Sequence, residues 1–185
     1  MTKVSLLGDS IRLEGYGKLV PSVLGEDYDV FQPQDNCRFA MYTFRGLYDW
    51  REAMEGSRVV HWNNGLWDCC DLFGDGFFTS VEDYVRNMCR VADLLLSRHD
   101  KVIFATTTPT NGDDREKANA EIRMFNAAVV PALEAKGVII NDLYSVVAAD
   151  LDRFLCEDRL HLSEEGRIAC ANQVAEVIKA AAEAL

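Results

Sequence analysis

Five short apolar runs recur along this chain, and helical segments separate most of them. The runs are Lys3–Leu7, Tyr28–Gln32, Arg58–Trp62, Lys101–Thr106 and Gly137–Asn141. They are rich in β-branched residues and do not alternate strictly with polar ones. That pattern suits strands buried on both faces of a parallel sheet. Between them, Val81, Tyr84, Val85, Met88, Val91, Ala92 and Leu95 keep a helical spacing, as do Ala118, Ile122, Phe125, Val129 and Leu133. An Ala-rich amphipathic stretch, 168–184, is expected to pack back on the sheet. Parallel strands need crossover connections, so the expected architecture is α/β: a flavodoxin-like parallel five-stranded sheet in a three-layer α/β/α arrangement. The 185 residues suffice for a single domain over 1–185 with a sizeable core. No internal repeat, low-complexity tract or linker interrupts them.

Charge narrows the partners. Thirty acidic residues against 19 basic ones give a net charge of -11. Phosphate binding needs clustered Lys and Arg, so a nucleic-acid surface is not expected. The same balance disfavours anionic membranes. No apolar run approaches the roughly 18 residues that span a bilayer. Val4 to Leu7 is too short for a signal-peptide core, so a cytoplasmic location without a membrane anchor is expected. Six cysteines form no C-x-x-C pair, which argues against a zinc knuckle or a thioredoxin-like motif. Cys89 and Cys170 read as small core residues, and adjacent Cys69-Cys70 as free thiols.

In open α/β sheets, ligands bind beyond the carboxyl ends of the strands. The chain there reads Gly8-Asp9-Ser10 after the first strand, Asn63-Asn64-Gly65 after the third and Thr107-Thr108-Pro109-Thr110 after the fourth. A serine hydroxyl becomes a useful nucleophile only beside a base. Histidine serves best near neutral pH, with a carboxylate to orient it. Of the three histidines, His99 falls at the wrong end of the sheet, and His61 lies inside a strand as a core residue. His161 sits in a loop before the last helix, three residues after Asp158. It best suits a catalytic base.

Gly8-Asp9-Ser10-Ile11 and Asp158-Arg159-Leu160-His161-Leu162 together resemble the first and last sequence blocks of the SGNH (GDSL-type) hydrolases. Asn63-Asn64-Gly65-Leu66 resembles the third. The blocks bracket nearly the whole chain. The resemblance implies a serine esterase with Ser10 as nucleophile, His161 as base and Asp158 orienting His161. It also implies an oxyanion hole holding an asparagine side chain and the Ser10 backbone N–H. Matching Trp62 to the glycine of the third block selects Asn64. A shift of one selects Asn63. The second block normally carries a glycine that donates a backbone N–H. None occurs in Gln34-Asp35-Asn36-Cys37-Arg38, so Asn36 or Cys37 is the expected donor.

Asp9, Asn63, Trp67 and Thr108 are the expected substrate contacts. Trp62, Trp67, Phe73, Phe77 and Phe78 surround Gly74-Asp75-Gly76, either as a pocket wall or as a loop plugged into the core. Asp68, Asp71 and Asp75 lack the tight spacing of a cation loop and read as solvated charges. Arg38 and Arg45 read as surface ion-pair residues. No cofactor or metal is expected. The resemblance implies hydrolysis of a small-molecule ester, with a short acyl group such as acetyl on a carbohydrate as the leading expectation. Lysophospholipase or thioesterase activity is the alternative within the family. Outside it stand a nucleotide-binding flavodoxin-like domain and a non-catalytic domain on this fold.

Overall fold

A computed structural model describes all 185 residues. The strands are β1 (Thr2–Leu7), β2 (Tyr28–Phe31), β3 (Val59–Trp62), β4 (Lys101–Ala105) and β5 (Ile139–Asn141), within one or two residues of the expected runs. They form one sheet in the order β2-β1-β3-β4-β5, and every pairing is parallel. The helices are α1 (Val20–Leu24), α2 (Ala40–Asp49), α3 (Leu66–Cys69), α4 (Val81–Leu96), α5 (Arg115–Glu134), α6 (Leu143–Ala148), α7 (Leu151–Phe154) and α8 (Glu164–Glu183).

Strand residues alternate between two apolar clusters. Leu7, Val60, Trp62, Val102 and Phe104 face α2, α4 and α5. Val4, Leu6, Val59, Ile103 and Ala105 face α1, α6 and α8. Both faces of the sheet are therefore dry, which is why its strands read as continuous apolar runs. Ser80 caps α4 by accepting the Asp83 N–H, and Ser163 caps α8 by accepting the Gly166 N–H at 3.1 Å.

Leu7, Trp62 and Phe104 are in register across the central strands, so β1, β3 and β4 end side by side. Strand order reverses between β1 and β3, since β1 hands the chain to β2 on its other side. That reversal opens the crevice where ligands of such sheets sit.

Three readings need correction. Asp68 is not a solvated charge. It is fully buried, and its Oδ2 accepts the Ala40 N–H at 3.0 Å, fixing the start of α2. Burial pushes its carboxyl up to about 6. The aromatic stretch is neither all wall nor all plug. Trp62 is fully buried and Phe77 packs edge-on against Phe125, whereas Phe73 and Phe78 stay exposed. Cys89 is only half-buried, unlike Cys170. His61 is a core histidine, held neutral by burial that pulls it down to about 3.

Candidate active site

The turn after β1 is built on Gly8 and Asp9. A Cβ on Gly8 would stand 2.0 Å from Asn63 Oδ1, so no larger residue fits. The Asp9 carbonyl accepts the Arg12 and Leu13 N–H groups, and its Oδ1 accepts the Ile11 N–H at 2.9 Å. Ser10 therefore heads a helical turn, where a backbone N–H has no partner within the turn. Arg12 is buried and donates to the carbonyls of Gly8, Pro33 and Asp35. It staples the loop after β2 to the loop after β1.

The loop between α7 and α8 folds on itself. An antiparallel bridge joins Leu155 and Leu162, and the Cys156 N–H donates to the His161 carbonyl at 2.8 Å. Arg159 takes a left-handed conformation (φ 62°) at the tip. Asp158 Oδ1 accepts the N–H groups of Leu160 (3.0 Å) and His161 (2.9 Å). Its Oδ2 lies 2.6 Å from His161 Nδ1. The Leu160 N–H, then the His161 N–H and imidazole, hold the Asp158 carboxyl well below the usual carboxylate range. His161 Nε2 in turn lies 2.9 Å from Ser10 Oγ. A hydrogen-bonded chain thus runs from the hydroxyl through the imidazole to the carboxylate. This geometry lets a base draw off a hydroxyl proton while its second nitrogen is held by a charge.

The two asparagines after β3 separate. Asn63 turns into a buried network: its Nδ2 donates to Asp9 Oδ1 (2.8 Å) and its Oδ1 accepts the Tyr16 hydroxyl (2.7 Å). Asn64 faces the loop after β2. Its Nδ2 donates to the Arg38 carbonyl and its Oδ1 accepts the Thr43 hydroxyl, at 2.8 and 2.9 Å. Its own carbonyl receives the Tyr84 and Thr107 hydroxyls. Gly65 follows because a Cβ there would meet Thr107 Oγ1 at 1.9 Å.

In the second loop, the Cys37 N–H donates to the Gly8 carbonyl at 3.1 Å, while Cys37 Sγ accepts the Gly8 N–H. Cys37 thus has no backbone donor to offer a ligand, against expectation. Asn36 lines the cleft beside Ser10. The left-handed residue that a glycine would favour is present in this loop, at Arg38 (φ 48°). Asn36 Oδ1 accepts the Arg38 N–H at 2.8 Å, an Asx turn. Arg38, Thr43 and Tyr84 were missed as supports of the site. Only the asparagine two residues before Arg38 signals the turn.

Ser10 and His161 open on a cleft of about 650 Å³ with Leu66, Trp67, Leu72 and Ile122 among its apolar walls. Trp67 lies where expected. Asp9, Asn63 and Thr108 do not: all three are buried and line a separate, smaller void with no room for a ligand. Thr110 takes the place expected of Thr108, and its hydroxyl donates to the Arg159 carbonyl of the loop that carries His161.

No protein-family model matches the chain. Among curated proteins, the GDSL esterase/lipase WDL1 of Oryza sativa subsp. japonica is 27% identical over 123 residues, or 58% of this chain. The chain spans about half of that relative, 47% of its length. Among solved structures, a lipase/acylhydrolase from Enterococcus faecalis superposes with a TM-score of 0.78 at 21% identity, covering 97% of this chain and 96% of that one. Axe2, an acetylxylan esterase from Geobacillus stearothermophilus, gives 0.75 at 15% identity, over 95% and 93%. Likeness of this kind establishes architecture: the chain has the fold of the SGNH (GDSL-type) hydrolases.

Proposed function

We propose that this protein is a carboxylic ester hydrolase acting through an acyl-enzyme on Ser10. The observation that carries the reading is the Ser10–His161–Asp158 hydrogen-bonded chain opening on the cleft. His161 Nε2 takes the Ser10 proton as Oγ attacks the acyl carbon, and Asp158 steadies the imidazolium. The oxyanion is held by the Ser10 N–H and the Asn64 side chain. Each asparagine already spends one Nδ2 hydrogen inside the protein, Asn63 on Asp9 and Asn64 on the Arg38 carbonyl, so the choice of Asn64 rests on the third-block match and on its facing the second loop. With Cys37 committed to Gly8, Asn36 is the remaining second-loop donor. The alcohol departs with the proton from His161. Water then attacks the acyl-enzyme, His161 takes its proton, and the acid leaves as Ser10 is restored.

The proposed substrates are short acyl esters, acetyl on a carbohydrate first among them. Likeness to an acetylxylan esterase supports that choice, as does a cleft mixing an aromatic wall with polar groups. The test is covalent labelling with a fluorophosphonate, followed by assay on p-nitrophenyl acetate and acetylated xylo-oligosaccharides. The wild type should be labelled and active, and Ser10→Ala neither. An unlabelled, inactive wild type would sink the mechanism. A strong preference for long acyl chains would overturn the acetyl assignment.

A further inference from the structure

The charged residues around the cleft are almost all of one sign. Glu14, Asp71, Asp114 and Glu121 line it, against one cation, Lys117. Lys117 is already paired with Glu121 at 3.8 Å along α5. Glu14 and Asp114 have no ionic partner, and Asp71 accepts only the Gly74 N–H. The arginine nearest the nucleophile in sequence, Arg12, is buried and spent on three backbone carbonyls. Arg159, in the base loop, is paired with Asp113. No unpaired cation lines the cleft, and exposed Arg38, two residues beyond Asn36, lays its guanidinium over the Tyr42 ring. The aromatic face of Trp67, on the same wall, is an attractive surface for a cation.

From this arrangement we infer that the cleft selects esters by charge, rejecting anionic alcohols such as phosphate-bearing ones and favouring neutral or cationic alcohols. The inference rests on the esterase reading of the same site. A cleft lined by one sign focuses the field and changes encounter rates by ten-fold or more, an effect that salt screens.

The test uses three acetate esters on one phenol frame: 4-acetoxybenzoate, its neutral methyl ester and (4-acetoxybenzyl)trimethylammonium. Each kcat/KM is normalised to the ester's own alkaline hydrolysis. At low salt the cationic ester should exceed the anionic one by about ten-fold or more, with the neutral ester between. The spread should shrink in 0.5 M salt, and in the triple variant Glu14→Gln/Asp71→Asn/Asp114→Asn it should fall to about two-fold. The triple variant Glu26→Gln/Asp27→Asn/Glu55→Gln removes equal charge from the far end of the sheet and should keep the full spread. Neutral-ester turnover without any charge ranking overturns the inference and leaves the esterase reading standing. So does a ranking that survives the cleft variant. Failure of all three esters, with no fluorophosphonate labelling, removes both.

Discussion

Asp9 adjoins Ser10 but is sealed from solvent, and its environment makes stability depend on pH in a specific way. One carboxyl oxygen accepts two hydrogen bonds, from Ile11 N–H and Asn63 Nδ2, while Oδ2 is buried without a partner. Burial pushes the group from 3.8 up to about 6, moderated by Asn63, the Ile11 N–H and Arg12. A displacement of that size corresponds to about 3 kcal/mol. The folded state holds the proton more tightly than the unfolded state. This contribution is therefore fully present below pH 3.8, is lost as pH rises to about 6, and stays lost above it. Asp9→Asn keeps the shape and the Oδ1 acceptor but cannot ionise. The stability difference between Asp9→Asn and wild type should thus climb by about 2 kcal/mol from pH 4 to pH 8, the rest having been lost below pH 4. Urea unfolding of both proteins at half-unit pH steps measures it. Asp68 is common to both and is raised chiefly by burial, with the Asp9 charge the smallest of its causes, so most of its effect cancels in the difference. Any fixed cost of the new amide shifts the curve without tilting it. A difference that is flat across this range would refute the argument.

Two further outcomes are expected. Asn64→Ala should lower kcat by roughly 10²–10³ while far-UV circular dichroism stays native, and a loss under ten-fold would move the oxyanion role elsewhere. Arg38→Gly should match wild-type stability to within about 1 kcal/mol, because glycine accepts φ 48° without penalty, whereas Arg38→Val should lose about 2 kcal/mol. Equal urea midpoints for those two variants would refute a strained Arg38.

The strands were legible because burial on both faces leaves a one-dimensional trace in the sequence, and Val59–Trp62 or Lys101–Ala105 needs no partner to be recognised. Asp158 and His161 were legible for a similar reason, being three residues apart in one turn. The hidden features are those set by distant pairing. Asp9 and Asn63 looked like substrate contacts until their mutual hydrogen bond, 54 positions apart, turned them inward. Asp68 looked solvated because nothing local announces that Ala40, 28 residues earlier, will donate to it. Arg38 reads as a surface ion-pair residue, yet it lies over the Tyr42 ring, and the chain's path, held through its carbonyl by Asn64, imposes a conformation its residue type does not advertise.

The contact between Ser10 and His161 spans 151 positions, whereas that between His161 and Asp158 spans three. His161 and Asp158 can pair as soon as one turn closes. Ser10 joins them only when the β1 edge of the crevice and the start of α8 have both docked. On the proposed mechanism, ester turnover therefore reports on a long-range closure, between residues 151 positions apart. During refolding, regain of ester turnover should lag behind regain of helical content, and the lag measures the time the two segments take to find each other.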